Sequence, residues 1–237
     1  MVLVFGVGFL FLGVGTGGLD LGQMIRDTFG AKGGGGGTSI SSALKEVQTH
    51  PREAKAYKQL ADAYGAKGRT DDQVRALKQY VKLAPKDATQ LQTLAELETR
   101  VADSAAAEAN AAYAQQQASI GGSALGPTAS GKLSQALGQD PVAQAVSSDI
   151  STRVQTATTK YRAASSQAVA SYQRLAKLRP NGTSFLDLAS TAEHFGNARV
   201  AIKAYRSALR LATDSATKGQ IRVRIAALQK SLKQGGG

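Results

Sequence analysis

The chain has no cysteine and no tryptophan, and its 237 residues include two histidines. Without cysteine there can be no disulfide, thiolate metal site, cysteine nucleophile or lipidated N-terminal cysteine. His50 and His194 are too few to build a histidine metal centre, so no metal or other cofactor is expected. From Ser41 onward no segment alternates apolar and polar residues as a strand does, and turn dipeptides are few. No serine sits in a nucleophile-elbow pattern, and no catalytic pairing surrounds either histidine. These absences leave a non-enzymatic, all-α protein as the first expectation. The length allows one domain with appendages or two small ones.

What the chain has in excess is positive charge, 29 Lys+Arg against 17 Asp+Glu, a formal net charge of +12. A whole-chain balance of this kind raises nucleic acid, anionic lipid and acidic wall polymer as partners. Counting by segment narrows it. Residues 1–40 are neutral, 41–100 carry +3, 101–150 carry −3, and 151–237 carry the entire +12.

The first 19 residues, MVLVFGVGFLFLGVGTGGL, carry no charged side chain, and the strongly apolar part runs from Val2 to Val14. As a helix, 19 residues span about 28 Å, close to a bilayer core. A secretory signal would show a basic start and a small-residue cleavage site, and neither is present. Residues 1–19 therefore read as an uncleaved transmembrane anchor, with a buried helix or a signal peptide with an odd end as the other readings. Residues 20–40 read as a tether, because the run Gly33–Gly37 cannot hold a helix. The folded body is expected over residues 41–237.

That body shows an internal period. Pro51 and Pro85 lie 34 residues apart, and each ends a helical run. Between them Tyr57, Leu60, Ala61 and Tyr64 share one helix face, and Gly68 breaks that helix. Thr70 and Gln73 read as a capping box for the next helix. Val74, Leu77, Val81 and Leu83 supply its apolar face. A second copy places Phe185, Leu188, Ala189, Gly196, Ala201, Ile202, Tyr205, Ala208, Leu209 and Leu211 on the same offsets.

These residues resemble the tetratricopeptide repeat, a 34-residue helix–turn–helix unit. Gln73 departs from the family pattern, which has a small alanine there, whereas Ala201 keeps it. A middle copy is split. Leu91, Leu94 and Ala95 supply a first helix, and Ala168, Val169, Tyr172, Leu175 and Leu178 supply a second one closed by Pro180. Pro85 and Pro180 are 95 residues apart, one repeat plus an insertion of 61. Residues 101–119 are alanine-rich helix formers, 121–131 are a loop by composition, and 141–179 return as one long helix. The expected fold is a short helical solenoid from which residues 101–150 project as a hairpin and loop. A capping helix should follow, from Asp214 to Leu232 with Ile221, Ile225 and Leu228 buried.

Several motifs carry less than they suggest. Gly126–Leu133 approaches a phosphate-binding loop, but Leu133 stands where a magnesium-binding hydroxyl is needed. Asn181-Gly182-Thr183 is a glycosylation pattern in an ordinary inter-repeat turn. Arg199, Lys203, Arg206 and Arg210 lie on one helix face, with Lys218, Arg222 and Lys233 on the last helix. No aromatic side chains interleave with them, which disfavours nucleic acid.

The resemblance implies a groove lined by exposed positions of the first helices, which binds extended or helical peptides. Here it would present Lys55, Lys58, Asp62, Gln92, Glu96, Leu186, Ser190 and Glu193. The arrangement of anchor, tether and repeats also resembles membrane-anchored repeat proteins of high-GC bacteria. The expectation is a single-pass membrane-tethered scaffold with its folded domain outside the cytoplasm, binding a partner protein or peptide without catalysis. The alternative is an envelope protein that binds anionic lipid or wall polymer through the basic C-terminal helices.

Overall fold

The computed structural model describes residues 39–124 and 141–234. The anchor expected over 1–19, nearly all of the tether, the phosphate-loop look-alike and the tail after Gln234 lie outside the described residues. Among the described residues no helix is long and apolar enough to cross a membrane.

Eight helices follow one another among these residues: α1 (Ile40–Thr49), α2 (Ala54–Gly65), α3 (Thr70–Leu83), α4 (Ala88–Ala124), α5 (Pro141–Leu178), α6 (Gly182–His194), α7 (Ala198–Leu211) and α8 (Ser215–Gln234). Each packs on its neighbours in the chain, as the units of a solenoid do. The fold is all-α, with α2–α3 and α6–α7 as helix pairs and α4–α5 as a pair with extended arms. α1 precedes them in the position of a second helix, and its Ala43, 34 residues before Leu77, is fully buried against α2.

Local chemistry sets the helix boundaries. Ser39 caps α1 by accepting from the Ser42 amide at 3.1 Å, and Asn181 caps α6 by accepting from the Ser184 amide at 2.8 Å. Asp87 caps α4 by accepting from the Thr89 and Gln90 amides, each at 3.1 Å. The turns within the two helix pairs are built alike. Gly68 and Gly196 have φ of 66° and 73°, the left-handed region that side chains resist. At each turn an amide reaches back five residues, Arg69 N to Tyr64 O at 3.0 Å and Asn197 N to Ala192 O at 2.7 Å.

The capping box expected at Thr70 is not formed. Thr70 is already inside α3, and the residue before it, Arg69, makes no side-chain cap. Instead the Arg69 guanidinium pairs with Asp72 at 2.5 Å, which places an acid in the first turn where the helix dipole favours one. The expectation failed because the helix starts one residue earlier than the box requires, with the Thr70 amide turned to the Gly68 carbonyl at 3.0 Å.

Gln73 finds room by a different route from the family's alanine. A Cβ on Gly65 would lie 2.6 Å from the Gln73 amide nitrogen. The other helix pair reverses the sizes: Glu193 stands in the place of Gly65, and fully buried Ala201 stands in the place of Gln73. Either way one side of the helix crossing is small enough for the two helices to approach.

In the middle unit Ala102, fully buried, occupies the position of Gly68 and Gly196. Nothing there favours a left-handed turn, so α4 continues for 37 residues, roughly 55 Å. It runs through Gly121 and Gly122 to Ala124, further than the composition suggested. α5 returns antiparallel beside it, with Ser171 meeting Glu98, Lys160 meeting Glu108 and Thr158 meeting Tyr113 along the pair. Ala102, Ala105, Ala109 and Ala112, spaced 3-4-3, form the buried seam of α4 and let the backbones lie close. α8 closes the stack with Ile221 and Ile225 buried and Leu228 partly so.

Candidate functional site

Two surfaces are candidates, the face presented by the first helices α2, α4 and α6, and the outer face of α7 and α8.

On the first-helix face, Lys58 and Asp62 pair with each other at 2.7 Å, and Lys55 is exposed without an ion partner among the described residues. The Gln92 amide donates to Glu96 at 3.1 Å. Ser190 is exposed, its hydroxyl donating to the Asp187 carbonyl at 3.1 Å. Leu186 is half-buried against the core, and so is a weaker feature of the surface than the pattern suggested. Glu193 is occupied internally, accepting from the Tyr205 hydroxyl at 2.7 Å and from Arg224 at 3.4 Å. That bond and burial together push the Tyr205 phenol up to about 12, burial being the larger cause.

Asp187 is the residue that sequence reasoning missed. It lies on α6, half-buried, and burial first, then the charge of Glu96 on α4, holds its carboxyl above the usual carboxylate range. The charges of both carboxylates also act on Tyr172 of α5. Burial, followed by Glu96 and Asp187, raises its phenol, and its hydroxyl is engaged with Thr99 of α4 and Thr191 of α6. The two carboxylates lie 91 residues apart in sequence, and they act on one another because the α4–α5 excursion returns to the solenoid. Among the described residues neither forms an ion pair. No local pattern around Asp187 signals this, since its neighbour is supplied by another helix.

The second surface is cationic. Arg199, Lys203, Arg206 and Arg210 are all exposed along the outward side of α7, and none has an acidic partner among the described residues. Ile202 and Leu232 floor a cleft of about 400 Å³ between α7 and α8, rimmed by Arg199, Arg206, Gln229 and Lys233.

The remaining sequence candidates have structural work. His50 pairs with Glu46 at 3.1 Å, and His194 joins Asp103 at 2.7 Å, linking α6 to α4. The Asn181 side chain is engaged as a helix cap. Among the described residues no three metal-ligating side chains come together.

Comparison with known proteins agrees with the helix-pair frame. The tetratricopeptide repeat family model matches residues 54–87, which are α2, its turn and α3. No curated protein matches the chain. Among solved structures, a thermophilic tetratricopeptide-repeat protein from Thermus thermophilus aligns over 80% of this chain and 88% of that one. The identity is 14% and the TM-score 0.25, a superposition too loose to bear on function. Proteins built of such repeats generally bind other proteins and are typically non-catalytic. Residues 54–87 match the tetratricopeptide repeat model, and they sit in an all-α fold whose other helix pairs follow the same offsets.

Proposed function

We propose that this is a non-enzymatic scaffold whose first-helix face binds a segment of a partner protein, and that Glu96 and Asp187 select a lysine or arginine on that segment. One observation carries the reading. Glu96 on α4 and Asp187 on α6 act on one another electrostatically, neither has an ion-pair partner among the described residues, and Asp187 is half-buried. An incoming ammonium or guanidinium would relieve the repulsion and form charge-assisted hydrogen bonds, which are stronger than neutral ones. Rigid α2, α4 and α6 would hold the rest of the segment against Lys55, Lys58, Asp62, Gln92 and Ser190.

A displayed random-peptide library panned on the full chain tests this. Enriched peptides should share a basic residue and lose enrichment on Glu96→Lys with Lys58→Glu. Enrichment of acidic or purely apolar peptides, or none at all, would count against the reading.

The apolar residues 2–14 and the glycine run ahead of Ser39 favour a scaffold tethered to a membrane, with the repeats outside the cytoplasm. Flotation of the full chain with membranes at high salt and alkaline pH supports the tether. Release under those conditions refutes it.

A further inference from the structure

From the α7–α8 surface we infer a second binding function: this face rests on an anionic lipid bilayer. The inference concerns a different surface from the peptide reading, and either can fail alone.

The charge is one-sided. α7 and α8 hold nine lysines and arginines and no acidic residue. Of the nine, Arg224 alone reaches a carboxylate among the described residues. The four cations of α7 run along about 16 Å of helix. Lys233 of α8 meets Arg199 and Arg206 across the shared cleft, so the two helices present one continuous basic face. Unpaired like charges repel one another, and a helix needs none of them to remain folded, so their concentration here fits an external anion.

Apolar side chains on and beside that face decide which anion. Val223 is 69% exposed, one residue from Arg222, and Leu232 is 41% exposed, one residue from Lys233. Along α8, Arg222, Val223, Ala226, Lys230 and Lys233 share the side turned away from the buried Ile221 and Ile225. Long cations flanking an exposed aliphatic side chain suit a membrane interface. There the charges meet headgroups and the aliphatics enter the acyl boundary. A wall polymer or nucleic acid offers no apolar phase for Val223. Nucleic acid also finds no stacking platform, because Tyr205, the one aromatic of α7 and α8, is buried.

The test uses the full chain and sedimentation with vesicles, comparing phosphatidylcholine alone with phosphatidylcholine plus phosphatidylglycerol at rising salt. The phosphatidylglycerol-dependent part of binding is the readout, so any contribution of the apolar N-terminus is subtracted. Lys203→Ala, Arg206→Ala and Lys230→Ala should each lower it about fivefold, and together on the order of 100-fold. Val223→Ser should lower it several-fold while leaving binding to heparin, a soluble polyanion, unchanged. Lys82→Ala with Lys86→Ala, exposed cations of the first repeat, should have little effect. All the substituted side chains are exposed, and unchanged far-UV circular dichroism verifies folding.

Binding indifferent to phosphatidylglycerol overturns the inference, as does an equal loss in the Lys82/Lys86 variant. Heparin or duplex DNA binding that matches vesicle binding, with Val223→Ser without effect, overturns it in favour of a polyanion.

Discussion

The buried ionic contact that joins the split repeat to the first one makes a quantitative prediction. Glu98 is 3% exposed, and both its oxygens are served: Lys78 of α3 approaches Oε1 at 3.1 Å, and the Ser171 hydroxyl of α5 donates to Oε2 at 2.5 Å. Lys78 also donates to Gln167 of α5, so one cluster ties α3, α4 and α5. Lys78→Met leaves a carboxylate in the core with a single hydroxyl partner and should cost about 3 kcal/mol. Glu98→Leu leaves Lys78, whose side chain is 34% exposed, free to turn to water. It strands the Ser171 hydroxyl, 6% exposed, for about 1–2 kcal/mol. The double variant keeps only that second cost, so it should be more stable than Lys78→Met alone, with a coupling of about 2–3 kcal/mol. Urea melts of the four proteins followed by circular dichroism give the values. Losses that add to within about 0.5 kcal/mol would refute the coupling and the role of Glu98 as the joint.

Three further outcomes follow from the packing. Gly196→Ala, which places a Cβ in the left-handed region at φ 73°, should lower stability by about 1–2 kcal/mol in a urea melt, although the added atom meets open space. Ala105→Leu, at a fully buried seam position of α4, should cost about 1–3 kcal/mol, whereas Ala107→Leu on the exposed side should change stability by less than about 0.5 kcal/mol. Tyr205→Phe should destabilise at neutral pH. The phenol titrates near 10 when unfolded and at about 12 when folded, so its contribution is complete below 10 and lost as pH rises through 12. The wild-type advantage over Tyr205→Phe should therefore shrink across that window in pH-dependent melts.

Much of the frame was legible because it depends on spacing. The offsets of Tyr57, Leu60, Ala61 and Gly68 against Phe185, Leu188, Ala189 and Gly196 mark two helix pairs, and Pro180 marks the return of the split unit. Periodicity of this kind reports which helix face is buried, and burial is what fixes the helices. Features that depend on a distant partner were not legible. Gly65 relieves Gln73 across the helix crossing, a contact between residues of two helices. Asp187 gives no local signal, because the charge acting on it, Glu96, reaches it only through the fold. The substitution of Ala102 for a turn glycine was visible in the sequence, but its meaning appears only when the three units are aligned in space.

The central claim is that Glu96 and Asp187 form the cation-selecting point of a peptide-binding face. Calorimetric titration of a library-selected basic peptide into the wild type, Glu96→Gln and Asp187→Asn proteins tests it most directly. Each substitution should weaken binding about tenfold, equivalent to about 1.4 kcal/mol. Wild-type binding should also weaken as pH falls through the raised titration of Asp187, above the usual carboxylate range. Equal affinity for all three proteins, with no acid dependence, would contradict the account.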